Sequence, residues 1–511
     1  MNVNKNPLIF FVILFLIVES NSVFAANWTI SPGITVTESY YDNITLQESN
    51  KNRELVTQVR PKLTVNGKGR RLKLNANYVL DYVHYYGDDF GDRLTHTAGL
   101  QSDAELINNN LFFGTTATVS QQSLDPLSAA PGRNNALVSN NRTETRAVSF
   151  TPRLQNKFGS FAYSVLSDTY SIVQFDDPGL SSYWINNLSY QLTSGSWFKK
   201  FTWQGDIATQ HAELSNGNNL SVNGRMNYSF TRHWTVFAQG RAVKNEFLGN
   251  VRSAGVGRSL YFAVVLGGLQ WAPSRKLLME VGGGAILNPS ALSNYDIEVE
   301  RSTWLAKIVI TPNTRSSAEL SREEAVFGRK TNFILSHRGR KSTISSSYTE
   351  TLSTPQQTLI GGLNNQATSS GSSFSFGELG RGLTDDVILR RRFALTGSTN
   401  RRAVGFDSNV FYEKGDYQTT DVSDSRYGGS VGLKAKPGRR TDITAEISAQ
   451  QYDFDAFDRS DKIYSFGLGA NRSLGKYVEV GVIYEWTKRT SNVNTIKYTA
   501  NQVTVQITAT Y

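Results

Sequence analysis

The sequence contains no cysteine among its 511 residues, and this absence removes several classes of protein at once. A disulfide-stapled fold, a zinc site built on thiolates and a cysteine nucleophile are all excluded. Beyond residue 18 there is also no apolar run of the roughly 18 residues that a membrane-spanning helix needs. The composition therefore points away from both the disulfide-rich secreted proteins and the helical membrane proteins.

The charge of the chain lacks a one-sided cluster. Lys and Arg number 53 against 43 Asp and Glu, which gives a net charge of +10 spread over the whole length. A nucleic-acid-binding protein concentrates its basic residues on one face. Here they are divided between short turns and the polar faces of predicted strands, so a nucleic acid partner is not expected.

The first 25 residues have the pattern of an export signal. Lys5 supplies a charged start, residues 8–18 form an unbroken apolar stretch, and Val23 and Ala25 occupy the −3 and −1 positions of a small-residue cleavage site. An uncleaved anchor is the alternative, but the apolar stretch is short for a bilayer. The sequence predicts a signal peptide over 1–25 and an exported domain over 26–511.

The remainder alternates between apolar and polar residues with a period of two. Residues 72–82, LKLNANYVLDY, carry apolar side chains at the even positions and mostly polar ones at the odd positions. Residues 94–106, 220–230 and 503–511 repeat this pattern. A period of two is the signature of a strand with one apolar and one polar face.

The lengths of these strands and of their connections favour a membrane barrel. The predicted strands run for roughly 10–13 residues, longer than the ~5–6 of a globular strand and close to the ~9–11 that cross a bilayer. Short turns rich in Arg and Lys alternate with long polar loops along the whole chain. The sequence therefore predicts an all-β fold, a single transmembrane antiparallel β-barrel of about 24 strands, within a range of about 22–26.

The same alternation predicts which connections lie outside the cell. Loops at 323–330, 413–425 and 453–461 are expected on the outer side, and turns at 67–71 and 437–440 on the periplasmic side. The longest connection, 353–386, is predicted to fold into or over the lumen, with a floppy surface loop as the alternative.

One strand fits the pattern poorly. In residues 387–395, VILRRRFAL, parity places Arg391 on the lipid-facing side. Either the strand contains a bulge, or this stretch lies at a basic rim of the barrel.

Motifs for chemistry are sparse. Ser430 lies in a GGSVG match inside a predicted strand and not in the strand–turn–helix context of a nucleophile elbow. His84 and His96 flank one predicted loop and could form a metal pair, but interfacial side chains are the favoured interpretation. The acidic loop 453–461 could bridge Ca²⁺ or Mg²⁺ to lipopolysaccharide, with an ordinary solvated loop as the favoured alternative. No catalytic, cofactor-binding or metal-binding residue is predicted, and the protein is not expected to be an enzyme.

The polar faces of the strands supply the candidate functional surface. They combine amides with charges of both signs, which suits hydrated neutral or weakly charged polymers better than a strict anion pore; a packed, inert polar interior is the alternative. The residues predicted to line the pore are Lys73, Asn75, Asn77, Asp81, Gln101, Asp103, Glu105, Asn223, Arg225, Asn227, Gln239, Arg241, Asp442 and Glu446.

Three N-terminal segments carry a family resemblance. Residues 28–46 (WTISPGITVTESYYDNITL), 56–86 and 94–126 resemble the outer-membrane β-barrel family associated with the PEP-CTERM/exosortase system of Gram-negative bacteria. The resemblance is strongest over about residues 28–160, and the rest agrees in pattern and length. It implies a link to exopolysaccharide loci and supplies no catalytic residues to transfer.

Pattern and resemblance together give the expected function. The protein is expected in the outer membrane of a Gram-negative bacterium as a channel or scaffold for exopolysaccharide export. The alternatives are a general diffusion porin, an outer-membrane structural or adhesive protein, and an outer-membrane enzyme, which would need His, Ser and carboxylates to converge at one rim. Expected partners are outer-membrane lipid and lipopolysaccharide, the barrel assembly machinery, exopolysaccharide and periplasmic export proteins.

Overall fold

The computed structural model of the protein describes residues 27–122, 136–138, 142–213, 217–247, 258–287, 301–325, 328–353, 388–417 and 422–511. The predicted signal peptide lies outside these ranges, and so does the loop predicted over 353–386, apart from its first residue. Among the described residues, no helix has the length and apolarity needed to cross a bilayer.

The described residues form one sheet of 24 strands. Strand lengths range from 10 residues in β15 to 17 in β12 and β20. Two short 3-10 turns, Asp455–Phe457 and Asn494–Ile496, lie in connections. The strands in chain order are β1 (Asn27–Tyr41), β2 (Glu54–Lys68), β3 (Leu72–Tyr85), β4 (Arg93–Ile107), β5 (Leu111–Gln122), β6 (Thr143–Phe158), β7 (Ala162–Phe175), β8 (Tyr183–Ser194), β9 (Phe201–Ala212), β10 (Gly217–Ser229), β11 (Trp234–Phe247), β12 (Arg258–Ser274), β13 (Leu277–Leu287), β14 (Ser302–Asn313), β15 (Ser316–Ala325), β16 (Gly328–Arg338), β17 (Ser342–Ser353), β18 (Ile388–Asn400), β19 (Val404–Tyr417), β20 (Val422–Gly438), β21 (Thr441–Phe454), β22 (Arg459–Ser473), β23 (Val478–Ser491) and β24 (Tyr498–Thr510).

The sheet closes on itself. Each strand pairs antiparallel with its neighbours in the chain, and β24 pairs with β1, where Gly33 lies opposite Thr510 and Tyr41 opposite Gln502. A closed sheet has no free edge, so the backbone hydrogen bonds are satisfied within the sheet even where no water is available. The predicted all-β transmembrane barrel and its strand number are both confirmed.

Even-numbered and odd-numbered residues of a strand lie on opposite faces of the wall, as β10 shows. Val222, Met226 and Tyr228 are exposed on one face, although they are apolar or aromatic. Asn223 and Arg225, on the other face, make hydrogen bonds to polar side chains of neighbouring strands. The apolar face is the outward, lipid-facing surface, because the enclosed lumen of such a barrel is polar.

Three connections predicted as long outer loops are shorter than expected. β15 continues to Ala325 and β16 starts at Gly328, so most of 323–330 is strand. The strands also reach into 413–425 and 453–461. At these strand ends, polar residues occupy positions that are apolar in the middle of the strand. The alternation of apolar and polar residues therefore disappears from the sequence, although the backbone hydrogen bonds between the strands continue.

Arg391 lies on the outward face without a bulge. The pairings of β18 with β17 and β19 run through Arg391 in unbroken register. The guanidinium contacts the carboxylate of Asp416, and Nε lies 3.6 Å from the Glu350 carboxylate. Because Arg391 is the fourth residue of β18, it lies near the rim, where an outward-facing cation costs only about 0–1 kcal/mol. Of the two alternatives, the structure shows the rim.

Aromatic side chains border the outward apolar face at the strand ends. Trp234 and Trp271 stack with ring centroids 5.7 Å apart where β11 and β12 begin and end. Tyr477 and the terminal Tyr511 stack at 5.4 Å near the start of β23. Amphipathic rings at these positions are typical of the headgroup level of a membrane barrel.

Cysteine labelling will test the orientation, since the chain has no cysteine of its own. We expect Asp455→Cys, in the 3-10 turn after β21, to react with an impermeant maleimide on intact cells. Gly69→Cys, in the turn between β2 and β3, should react only after the outer membrane is opened. Labelling of residue 69 on intact cells would reverse the assigned topology.

Candidate functional site: the inner wall of the barrel

The residues predicted to line the pore occupy inward-facing positions on five strands. Lys73 lies opposite Asp103, Asn75 opposite Gln101, and Arg225 opposite Gln239 in the pairing registers. Directly paired residues share a face, so each pair projects to the same side of the sheet. The inward-facing predicted residues are Lys73, Asn75, Asn77 and Asp81 on β3, Gln101, Asp103 and Glu105 on β4, Asn223, Arg225 and Asn227 on β10, Gln239 and Arg241 on β11, and Asp442 and Glu446 on β21.

Arg225 is the centre of a contact network on this face. Its two terminal nitrogens donate to the two carboxylate oxygens of Glu280 on β13, both at 2.9 Å. Its Nε donates to Asn227 at 2.9 Å, and one terminal nitrogen lies 3.4 Å from the Gln239 oxygen. Bidentate pairing fixes the guanidinium plane as well as its position. Arg225 therefore joins β10 to β13 across two intervening strands.

Phe237 lies beneath the Arg225 guanidinium, whose central carbon is 4.3 Å from the ring centroid. The ring covers backbone that carries no side chains: a Cβ on Gly268 would lie 2.4 Å from the ring, and one on Gly282 would lie 3.0 Å from it. Only glycine leaves room for the ring at these two positions. Phe237 is 1 % exposed, so this part of the inner wall is packed and not lined by water.

Charges of opposite sign alternate along the wall beyond this network. Asn223 donates to Asp206 at 2.6 Å on one side. On the other side, Lys307 lies opposite Glu280 in register and binds Glu319 at 2.6 Å. Each charge therefore has an opposite charge or an amide beside it, and this part of the wall carries no ladder of a single sign.

Hydroxyl groups are paired across neighbouring strands on the inward face. Thr35 and Thr508 lie 3.0 Å apart at the β1–β24 seam, and Ser149 and Ser171 lie 2.8 Å apart between β6 and β7. A hydroxyl both donates and accepts, so each pair keeps hydrogen-bonding capacity for a third group. Further pairs are Ser39–Thr504, Thr151–Thr169, Thr343–Ser398 and Ser345–Thr396.

Some of the predicted lining residues are engaged locally. Asp81 is buried and accepts from Gln58 at 3.2 Å. Glu105 accepts from the backbone N–H of Asn109 at 2.5 Å and thereby closes the turn between β4 and β5. These two carboxylates face inward, but they bind neighbouring groups of the barrel itself.

Two loop segments fold inward at the long-loop end of the lumen, which is the end predicted to face outward. Ile44 and Leu46, in the connection between β1 and β2, are almost completely buried. They belong to one apolar cluster with Leu137 from the β5–β6 connection and with inward-facing side chains of β1–β3 and β24; its members are Tyr41, Ile44, Leu46, Val56, Val83, Tyr85, Ala136, Leu137 and Tyr498. We call this set the mouth cluster. It narrows the outer opening on one side.

Hydrogen bonds fix the first of these segments. Asn43 is fully buried and donates to the carbonyl oxygens of Gln47 at 2.7 Å and Thr499 at 3.0 Å. The N–H of Val138 donates to the carbonyl of Ile44 at 3.2 Å, and the Tyr85 hydroxyl donates to the carbonyl of Ala136 at 2.8 Å. The two inward segments therefore bind each other as well as the wall.

Inward-facing arginines lie on both sides of the β1–β24 seam at this end of the barrel. Asp461, which is fully buried, binds Arg459 at 2.8 Å and Arg489 at 2.7 Å. On the opposite side of the seam, burial and the nearby charge of Arg93 together lower the pKa of Arg142 to about 10, with burial the larger cause. Arginines and buried carboxylates, among them Asp461, Asp424 and Glu54, therefore lie together at this end of the barrel.

The candidate metal and catalytic residues do not converge. His84 bonds to Asp92 at 2.8 Å, whereas His96 bonds to the Tyr78 hydroxyl at 2.6 Å. Hydrogen bonds from Tyr82 and His84 hold the pKa of Asp92 below its usual range. Ser430 lies within strand β20, and among the described residues no group of three or more His, Asp or Glu could hold a metal ion.

Phe237, Glu280 and the mouth cluster were not among the predicted site residues. Phe237 has the inward parity of Gln239, and the glycine-rich runs at 267–268 and 282–284 were signals for a large neighbouring ring. Ile44 and Leu46 were visible as apolar residues in a loop. Their inward direction depends on contacts with Leu137 and Tyr498, which are far away in the sequence.

Comparisons with known proteins give only distant structural likenesses. No family model and no curated protein matches the sequence. The FrpB iron transporter of Neisseria meningitidis is similar with a TM-score of 0.44 and 9 % identity, over 95 % of this chain and 82 % of that one. The siderophore receptor PirA of Pseudomonas aeruginosa has a TM-score of 0.40 and 10 % identity, over 94 % and 80 %. A loop-deletion mutant of OmpT, an outer membrane protein of Vibrio cholerae, has a TM-score of 0.31 and 9 % identity, over 95 % and 100 %.

The protein is a β-barrel of the outer-membrane type. Its closed antiparallel sheet, apolar outward face and aromatic borders carry this conclusion without the comparisons. The cell outer membrane of a Gram-negative bacterium is where barrels of this kind reside.

Proposed function

We propose that this barrel conducts a hydrated polysaccharide across the outer membrane, as part of the exopolysaccharide-linked PEP-CTERM/exosortase system that the N-terminal third resembles. The observation that carries the proposal is the inner wall, where hydroxyl pairs and balanced charges occupy the inward positions of strands around the barrel. Such groups exchange hydrogen bonds with a sliding sugar chain, and no run of one charge retains it.

The width of the barrel supports a polymer as cargo. Porins of ~16–18 strands already hold an aqueous channel, and barrels of 22 strands are closed by a plug. A barrel of 24 strands therefore needs a partial closure to prevent leakage. The mouth cluster supplies one such closure on the side of β1–β3 and β24.

A general diffusion porin is the second candidate, since a polar lumen and steady conductance are common to both. The buried contacts of Ile44 and Leu46 favour the polymer channel, because a diffusion porin needs no apolar cluster of this size inside its outer mouth. A scaffold or adhesive protein is the third candidate, and the balanced inner wall does not by itself require transport.

Current recordings with the purified barrel in planar bilayers will test the proposal. We expect fragments of the exopolysaccharide from the producing strain to block the current transiently, while glucose at equal mass concentration leaves it unchanged. Replacing Asn75, Asn223 and Gln239 with Ala should change the block duration at unchanged open conductance, because these amides offer hydrogen bonds to a passing chain. Equal responses to the polymer and to dextran of equal length would favour the porin.

A further inference from the structure

A groove of about 550 Å³ crosses the outward, lipid-facing surface between β8 and β12. Its floor contains three glycines in direct register, because Gly224 lies opposite Gly205 on one side and opposite Gly240 on the other. Its walls include Tyr190, Leu192, Trp203, Ile207, Met226 and Val265. Ile207, Met226 and Val265 belong to the exposed apolar face, so the groove opens toward lipid.

The floor glycines are not required by packing within the barrel. A Cβ on Gly224 or Gly240 would meet nothing within 4 Å, and a Cβ on Gly205 would meet only a carbonyl oxygen at 3.7 Å. This differs from Gly268 and Gly282, whose positions the Phe237 ring fills. Glycine weakens a strand, and in a strand it often marks a bulge, a bend, or the close approach of a ligand or another backbone. The register through Gly224 is unbroken on both sides, so no bulge accounts for these glycines.

Basic side chains border the periplasmic end of the groove. Lys199 and Lys200 precede β9 and Arg232 lies in the turn between β10 and β11; all three are exposed. Among the described residues, none of them makes an ion pair. The backbone links the two turns, since the N–H of Ser229 donates to the carbonyl of Lys200 at 2.8 Å.

An aromatic cluster links the basic turn to the groove. Phe161 and Phe198 pack edge to face with centroids 5.2 Å apart, and Trp203 lies 6.0 Å from Phe198. Trp203 is also part of the groove wall. Phe198 therefore lies in the turn beside Lys199, and Trp203 continues the cluster into the apolar groove. A charged end followed by an apolar groove matches the charged headgroup and apolar chain of a phospholipid.

The dimensions agree with one leaflet. Five residues separate Lys200 from Gly205, about 17 Å along the strand at ~3.3 Å per residue. At a strand tilt of ~40° this is about 13 Å along the membrane normal, close to half of the ~25 Å apolar band of a barrel. A phosphate at the turn thus places the inner end of its acyl chain, near the bilayer midplane, beside the glycines.

We propose that the groove and the basic turns below it bind an anionic glycerophospholipid of the periplasmic leaflet, with the phosphate at Lys199, Lys200 and Arg232 and one acyl chain over Gly205, Gly224 and Gly240. This assignment is independent of the cargo of the lumen. A second copy of the chain is the competing occupant of an outward apolar groove, and the test below separates the two.

Native mass spectrometry of the purified barrel, titrated with phosphatidylglycerol and with phosphatidylethanolamine, tests the site. We expect preferential retention of phosphatidylglycerol, and a loss of about fivefold in that preference per basic residue neutralised. Lys199→Glu with Lys200→Glu should abolish the preference. The matched control is Arg439→Glu with Arg440→Glu, in the periplasmic turn between β20 and β21, which should leave it unchanged.

Filling the groove tests the acyl-chain part. Gly224→Leu with Gly240→Leu should lower the retention of both lipids, whereas Gly467→Leu, an inward glycine whose Cβ also meets nothing within 4 Å, should not. Heat-modifiable gel mobility shows whether each variant folds, and the charge-reversed turn remains informative if the leucine variant does not. Equal retention of both lipids by the unaltered protein would overturn the proposal. A dimer that Gly224→Leu dissociates would overturn it in favour of a second copy.

Discussion

Replacing Ile44 and Leu46 with Asp will open the outer mouth and raise the single-channel conductance about twofold or more. Both side chains are buried in the mouth cluster, at 0 % and 5 % exposure. Burial of two such aliphatic side chains contributes about 3–6 kcal/mol. Without that contribution, the equilibrium constant between the inward-folded and the released β1–β2 connection shifts toward release by a factor of more than about 100.

The control for this variant is Val493→Asp, because Val493 is an exposed aliphatic residue in another outer connection. It should leave the conductance at the level of the unaltered protein. Cells that carry the Ile44 and Leu46 double variant should also admit large antibiotics that the unaltered barrel excludes. Unchanged conductance in a folded double variant would show that the mouth cluster does not limit flow.

The second large effect concerns stability. Phe237→Ala should lower the free energy of unfolding by about 3 kcal/mol, because it removes a buried ring from a wall of glycines that cannot refill the space. Glu280→Ala should cost a similar amount, about 3 kcal/mol, since it leaves the Arg225 guanidinium without its bidentate partner. Urea unfolding in lipid vesicles, followed by tryptophan fluorescence, measures both.

Gln239→Ala is the matched control for these two variants. Gln239 lies on the same strand as Phe237, but its contact with Arg225 is long, at 3.4 Å. Its replacement should change the free energy of unfolding by less than about 0.5 kcal/mol. An equally small effect of Phe237→Ala would contradict the assigned packing. The same contacts make Arg225→Ala a poor probe of transport, because it would disturb the wall itself.

The alternating pattern made the membrane-spanning part of the fold predictable, since each strand must place apolar side chains toward lipid and polar ones inward. Beyond the apolar band, this requirement no longer applies, and the strand ends could not be predicted from the alternation. Glu323 and Ala325 continue β15 above the apolar band, and no local signal distinguishes such a strand from a loop. Loops were therefore predicted too long, while the strand number was right.

The alternation along each strand predicted which residues face inward, but it did not predict which side chains they contact. Arg225 and Gln239 were expected on one face, whereas Glu280 is 55 residues away from Arg225 and enters only through the three-dimensional register. The mouth cluster has the same origin, because Ile44 meets Leu137 and Tyr498 only after the barrel closes. Contacts between distant segments are what a single sequence without aligned relatives does not reveal.

The location of the polymer in a deletion strain tests transport most directly. If the barrel exports polysaccharide, deleting its gene will leave polymer synthesis intact, so polymer will accumulate in the periplasm and disappear from the cell surface. Uptake of small sugars will remain normal, and the Asn75, Asn223 and Gln239 triple variant will restore export only in part. Normal surface polysaccharide together with reduced uptake of small sugars would contradict the account and identify a diffusion porin.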